Sequence, residues 1–292
     1  MTDFAYFGQT IVNGISVGCI YGLIGIGFCV IYNASGIVNF AQGAFVMLGG
    51  MLTYLFFSVW HVPLFLAALA AIVAVAIAGV IIERLVVRPL WDRKATMFIM
   101  ILATLAVQIV IDRATLLIAG DQPKSLPVFT DLPPLRFGGI TIGFQTLWII
   151  GGSLILIAAL AFFFSKTLVG RAMRACSINR EAAALQGIPV SHMLAASFAL
   201  SAALGAIAGI LVTPTQFTAY NVGTPFAISG FIAAIVGGFG RPFGAFLGGL
   251  ALGIAQALAV YSLGSGLKNV AALSVLLMFL FLRPNGILGA AK

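Results

Sequence analysis

The chain has 292 residues, of which 62% are hydrophobic and only 8% are charged, against about 25% charged in a typical soluble domain. No Asp, Glu, Lys or Arg occurs between Asp3 and Glu83, a run of 79 residues. A water-soluble fold of this length cannot bury so much apolar chain in a single core. The composition therefore excludes a water-soluble domain and predicts an integral membrane protein that crosses the bilayer several times.

Apolar stretches of about 20 residues, the length that a helix needs to cross the hydrocarbon layer, recur along the chain. Eight spans are predicted, at 10–32, 37–57, 63–84, 97–118, 146–165, 193–213, 243–263 and 267–282. A ninth piece at 226–239 is short and interrupted by glycine, so it either crosses or forms a re-entrant turn. The predicted fold class is all-α, a polytopic transmembrane helix bundle that forms one domain over residues 1–292.

Glycines recur at helical spacing in two spans. They are Gly14, Gly18 and Gly22 in the first span, and Gly244, Gly248, Gly249 and Gly253 in a late one. Small residues on one face of a helix let two backbones approach closely. We expect these faces to pack within the subunit, with a subunit interface or a pore wall as the alternative.

The segment 33–43, between the first two spans, is too polar to face lipid and predicts a break between helices. Polar side chains within spans either form hydrogen bonds between helices or line a path for a solute. The candidates for such a path are Asn13, Asn33, Asn39, Gln42 and Gln256.

Two loops carry most of the charge. Residues 83–94 hold four basic and two acidic side chains, and residues 166–193 hold four basic and one acidic. Because basic residues accumulate in cytoplasmic loops, both loops are predicted to be cytoplasmic, and the net charge of +8 needs no nucleic-acid partner. This orientation places the N-terminus outside the cell. Arg283 and Lys292 place the C-terminus inside, which requires the piece at 226–239 to cross.

Residues suited to catalysis or metal binding are scarce. Apart from Glu83 and Arg84 at the very end of the third span, Asp112 and Arg113 form the only oppositely charged pair within a span, and we expect a structural pair near the outer interface, with a functional site as the alternative. The chain has no Walker or HExxH motif. No metal site is expected, because the possible ligands lack metal-binding spacing; they are Cys19, Cys29, Cys176, His61 and His192.

The loop 166–193 contains the signals of a short helix. Asn179 suits the N-cap position, Glu181 places an acidic residue in the first turn, and Gly187 suits the position after the last turn. The residues between them favour a helix of about two turns. Its small alanines would let another protein approach closely. Three basic residues could contact acidic residues at the edge of the partner's surface; they are Arg171, Arg174 and Arg180. The loop is therefore predicted to be a docking element.

Glu181-Ala182-Ala183, followed after three residues by Gly187, resembles the EAA-x-x-x-G signature of ABC importer permeases. Three more stretches extend the resemblance: NGISVGCIYGLIGIGFCVIYNASGIVNFAQGAF at 13–45, AAIVGGFGRPFGAFLGGLALGIAQAL at 233–258 and RPNGILG at 283–289. Together they resemble the branched-chain amino-acid ABC transporter permease family from end to end. The commoner form of the family's early motif has His where this chain has Gln42.

The resemblance implies a permease subunit of an ATP-driven importer in the bacterial inner membrane. The implied partners are a second homologous permease, two cytoplasmic ATPases and a periplasmic substrate-binding protein. ATP and Mg would be bound by the ATPases, so no cofactor is expected in this chain. The implied coupling residues are Arg171, Arg174, Asn179, Glu181, Ala182, Ala183 and Gly187.

The substrate and the mode of transport leave alternatives open. Branched-chain amino acids are the expected substrates, and urea, short amides or aromatic acids are alternatives within the same family. A stand-alone secondary transporter or channel is the alternative from another class. Under the coupling hypothesis, added bulk at Ala183 or replacement of Gly187 is expected to uncouple transport.

Overall fold

The computed structural model describes residues 3–283, 286 and 287, and this part of the chain is mostly helical. Its α-helices are α1 (Asp3–Ser35), α2 (Gln42–Tyr54), α3 (Leu64–Ile82), α4 (Arg88–Asp92), α5 (Met97–Ala119), α6 (Phe144–Lys166), α7 (Leu168–Ile178), α8 (Arg180–Leu185), α9 (Val190–Gln216), α10 (Gly223–Gly237), α11 (Pro242–Leu263) and α12 (Lys268–Leu282). A π-helical turn at Leu55–Val59 extends α2, and another at Glu83–Val87 joins α3 to α4. A short antiparallel hairpin, β1 (Leu135–Phe137) and β2 (Ile140–Ile142), lies in the loop before α6.

Seven helices of the described chain are long and apolar enough to cross a membrane. They are Ala5–Ser35, Gln42–Val59, Leu64–Asp92, Met97–Ala119, Phe144–Lys166, Val190–Gln216 and Pro242–Ser262. The predicted bundle of membrane helices is confirmed, but the count of eight spans is not. The predicted span at 267–282 corresponds to the shorter α12, and the uncertain piece at 226–239 corresponds to the 15-residue α10. Most of the 283–289 motif, and the C-terminus, lie outside the described residues.

α1 is the central helix, and residues 18–31 are buried on every side. α11 runs antiparallel to it along the two glycine faces, with Gly14 opposite Gly253 and Gly18 opposite Gly249. A methyl group at Gly18 would lie 2.9 Å from the Gly249 carbonyl oxygen, so only glycine permits this approach. The prediction that the glycines pack within the subunit is confirmed at these faces.

The predicted break after the first span is also confirmed. α1 ends at Ser35, residues 36–41 are not helical, and α2 begins at Gln42. The start of α2 lies against Ser201, near the middle of α9, and not at an end of that helix. The start of α10 lies against the start of α2, because the backbones of Gly43 and Gly223 are in contact. Two helices therefore begin at one point in the interior of the bundle.

Candidate functional site

The helix predicted in the loop 166–193 is present as α8, and local hydrogen bonds set both of its ends. The Asn179 Oδ1 accepts a hydrogen bond from the Ala182 N–H at 3.0 Å, which is an N-cap. At the other end, the Gly187 N–H donates to the Ala184 carbonyl at 3.0 Å and the Ile188 N–H donates to the Ala183 carbonyl at 3.1 Å. Gly187 has φ +79°. This pattern is a Schellman motif, which favours glycine at that position.

The outer side of α8 is apolar and open to solvent. Leu185 is 88% exposed, and Ile178, at the end of α7, is 81% exposed. Ala182 and Ala184 are also exposed, whereas Ala183 is only 4% exposed and faces its own subunit. Added bulk at Ala183 would therefore push α8 away from the subunit instead of obstructing its outer side. Exposed apolar side chains that are grouped together are typical of protein-binding surfaces, and the docking role of this loop stays a prediction.

α7 was not predicted from the sequence. Its buried side carries Gly170, Met173 and Cys176 at helical spacing, and its open side carries Arg171 and Arg174. The buried positions at i, i+3 and i+6 are the signal that could have revealed this helix. Loss of hydration by burial raises the pKa of the Cys176 thiol above its usual value.

Arg180 is only partly exposed and lies toward the other basic loop, and its predicted contact with an acidic surface of a partner stays a prediction. Its guanidinium lies over the Trp91 ring, 4.7 Å from the centroid, and also lies beside Gly36. Loss of hydration lowers the pKa of Arg180. The residue thus joins the start of α8 to the other basic loop and to the non-helical segment that precedes α2.

A second contact joins the two basic loops. Arg88 Nε lies 3.0 Å from Glu83 Oε1, and Arg88 Nη2 donates to the Ser191 carbonyl in α9 at 3.2 Å. Glu83 is fully buried, and a buried carboxylate is strongly destabilising without such a partner. The 166–193 loop is therefore fixed to the 83–94 loop at two points.

A buried polar cluster lies where α2 begins. Gln42 Oε1 accepts a hydrogen bond from the Ser201 hydroxyl at 2.6 Å, and its Nε2 donates to the Ser201 carbonyl at 3.2 Å. Asn39 Oδ1 accepts from the Ala41 N–H at 3.1 Å, while its buried Nδ2 has no hydrogen-bond partner in the described chain. The structure thus brings together two of the five predicted pathway residues.

Three polar residues on α5, one turn apart, complete the surroundings of this cluster. Thr104 Oγ1 accepts from the Phe40 N–H at 3.1 Å, and Gln108 Oε1 accepts from the Ala44 N–H at 2.5 Å. Gln108 Nε2 donates to Asp112 Oδ1 at 2.8 Å. The sequence prediction did not single out this stripe as a unit, although its spacing of four residues marks one face of a helix.

Asp112 does not form the predicted structural pair with Arg113. Within the described chain, the two side chains have no ion pair within 4 Å. Asp112 instead faces Gln108 and the interior, because it lies one turn from Gln108 on the same side of α5. Arg113 projects to the exposed side of the helix.

The other three predicted pathway residues lie elsewhere. Asn33 Nδ2 donates to the Gly240 carbonyl at 2.8 Å, and Gln256 Oε1 accepts from the Tyr21 hydroxyl at 2.9 Å. Asn13 is exposed near the start of α1. Gln256 therefore makes a hydrogen bond between helices, which was the alternative interpretation, and Asn33 joins α1 to the turn before α11. Among the described residues, no group of three His, Cys, Asp or Glu side chains could hold a metal ion.

A known protein family matches almost the whole chain. A family described as "Branched-chain amino acid transport system / permease component" matches residues 10–282 of the chain. The chain belongs to this family. The match includes both glycine faces, the polar cluster and the 166–193 loop, so the resemblance inferred from the sequence motifs is confirmed.

Individual relatives agree with this assignment. The permease protein BraD of the high-affinity branched-chain amino-acid transport system of Pseudomonas aeruginosa is 34% identical, covering 99% of this chain and 98% of its own length. The corresponding LivH of Escherichia coli is 32% identical, covering 98% and 97%. PsaBC from Streptococcus pneumoniae, solved in complex with Fab, has a similar fold, with a TM-score of 0.51 and 13% identity over 97% of this chain and 94% of that one.

Proposed function

We propose that the chain is the permease subunit of an ATP-driven importer for branched-chain amino acids. The observation that carries the proposal is α8, a capped helix with an apolar outer side, in a member of this permease family. The relatives that the chain matches along almost their whole length are branched-chain amino-acid permeases, which supports that substrate class.

In this proposal, α8 seats in a groove of a cytoplasmic ATPase. Glu181, Ala182 and Leu185 form the contact surface, Arg171 lies on its basic flank, and Asn179 and Gly187 fix the two ends of the helix. Two such ATPases bind ATP and Mg, a second homologous permease completes the membrane part, and a periplasmic binding protein delivers the solute. The chain lies in the inner membrane with its N-terminus periplasmic and its C-terminus cytoplasmic.

The contacts of Arg180 suggest how movement of α8 reaches the solute path. Arg180 lies against Trp91 and beside Gly36, and Gly36 is the first residue of the non-helical segment that leads to α2. α2 in turn begins at the cluster of Asn39 and Gln42. A shift of α8 would therefore move the start of α2 relative to α10. We assign the place where α2 and α10 begin, with Gln108 and Asp112 beside it, to the path of the solute.

The test is uptake of labelled leucine and labelled urea by a strain that lacks the native system and carries this chain with its partner subunits. We expect ATP-dependent leucine uptake that requires the binding protein. Uptake of urea but not leucine would reassign the substrate. Uptake by the chain alone in vesicles, without ATPases, would instead support a secondary transporter or channel.

Replacement of Arg180 tests the transmission from α8. The change Arg180→Ala removes a contact between a cation and an aromatic ring that is worth about 1 kcal/mol, so α8 would be held less firmly against the subunit. We expect several-fold less leucine transported per ATP hydrolysed, with normal membrane insertion. Arg180→Lys keeps the charge but loses the planar stacking and should give an intermediate ratio. An unchanged ratio of leucine transported to ATP hydrolysed in Arg180→Ala would contradict the proposal that Arg180 transmits the movement of α8.

A further inference from the structure

A cavity of about 310 Å³ lies at the 166–193 loop, between the ends of α1 and α6, the start of α11, and α7. The residues that line it are mostly apolar, and its polar lining residues are Asn33, Arg174 and Ser177. Its volume is at the lower end of the range of about 300–1,000 Å³ for ligand sites. The solute path proposed above does not include it.

The lining changes from polar to apolar with depth. Asn33 lies in the last turn of α1, and Ile26 lies seven residues earlier, about 10 Å deeper along the helix. On α6, Ile157 and Leu160 continue the apolar part. Arg174, on α7, provides the charge at the outer end of the cavity. The cavity is therefore charged at the loop end and apolar toward the middle of the bundle.

The charges of the residues that line the cavity favour one kind of ligand. Arg174 has no ion pair in the described chain, and no Asp or Glu is among the residues that line the cavity. A free amino acid would leave its ammonium group without a partner here, whereas an amphiphile with one anionic group would not. Ala161 and Phe243 are exposed on the rim, so the cavity is open at the surface of the bundle.

We propose that this cavity binds an anionic phospholipid, with its phosphate at Arg174 and an acyl chain along Ile26, Ile157 and Leu160. Basic pockets between helices on the cytoplasmic side of membrane proteins bind anionic headgroups. The inference rests on the proposed function only in placing this end of the bundle at the cytoplasmic leaflet. It assigns Arg174 to lipid and leaves the ATPase contact to α8 and Arg171.

The test is lipid retention by the purified full-length chain, measured by native mass spectrometry, which is independent of transport. The protein is equilibrated with equal amounts of phosphatidylglycerol and phosphatidylcholine that carry identical acyl chains. We expect preferential retention of phosphatidylglycerol and about a fivefold loss of that preference in Arg174→Ala, from the contribution of one basic residue near an anionic headgroup. Arg171→Ala removes the same charge from the same helix outside the cavity and should keep the preference.

A second variant tests the cavity itself. Ala161→Trp adds bulk at an exposed rim position and should reduce retention of both lipids, while thermal unfolding checks that the fold is kept. Equal retention of the two lipids by the unmodified chain would overturn the proposal. So would an equal loss in Arg171→Ala and Arg174→Ala, or full retention by a folded Ala161→Trp.

Discussion

Replacement of Leu185 by aspartate is expected to abolish ATP-driven uptake while leaving the subunit folded and inserted. The side chain is 88% exposed at the last turn of α8, so the subunit itself loses almost no packing. In a docked complex, the carboxylate would be buried against the ATPase without a partner, and truncation or mismatch at such central positions commonly costs about 2 kcal/mol or more. We expect at least a roughly tenfold loss of leucine uptake, measured together with the amount of ATPase that co-purifies with the permease.

The matched control is Leu185→Met, which keeps an apolar side chain of similar volume and should retain most of the uptake. A second control is Leu168→Asp, because Leu168 is 77% exposed on the same loop but precedes α8 by a full helix. Normal uptake and normal ATPase co-purification in Leu185→Asp would show that α8 is not the docking surface. Equal losses in both aspartate variants would indicate a general effect of charge on the loop.

Replacement of Gly43 by alanine is expected to destabilise the fold and block transport, although it adds only one methyl group. That methyl group would overlap the Gly223 carbonyl, and the reciprocal change at Gly223 would place one 2.6 Å from the Gly43 carbonyl oxygen. Both obstacles are backbone atoms, which cannot rotate away as a side chain can. Overpacking of this kind costs about 1–3 kcal/mol. The temperature of thermal unfolding in detergent and the rate of leucine uptake should both fall.

Gly151→Ala is the control for this prediction. Gly151 also lies within a helix, but a methyl group there meets nothing within 4 Å. Alanine normally stabilises a helix interior by about 0.5–1 kcal/mol relative to glycine, so this variant should unfold at the same or a higher temperature. A Gly43→Ala protein as stable and active as Gly151→Ala would rule out the tight junction of α2 and α10.

Features that depend on neighbouring residues could be predicted from the sequence. The helix α8 is an example, because Asn179 and Gly187 act on backbone groups within five residues of themselves. The break between α1 and α2 is another, since the polarity of residues 33–43 is a local property. The prediction that the glycine faces pack together was also correct, because a run of small residues allows few other roles.

Features that depend on contacts between distant residues could not be predicted from the sequence. The contact of Arg180 with Trp91 is one example, because nothing near Arg180 in the sequence distinguishes it from the exposed Arg171. The pairing of Gln42 with Ser201 joins residues that are 159 positions apart. Gln108 was one of several polar residues within spans until the structure placed it at the starts of both α2 and α10.

The sequence by itself determined that the chain is a membrane helix bundle with a short capped helix in its 166–193 loop, and its motifs indicated the permease family. Those conclusions follow from composition and from hydrogen bonds over a few residues. Only the tertiary structure decided which side of each helix is buried and where α2 and α10 begin. The physical reason is that a span such as α3 is apolar on all sides. Lipid imposes no preferred face on such a helix, so contacts with distant helices determine its position.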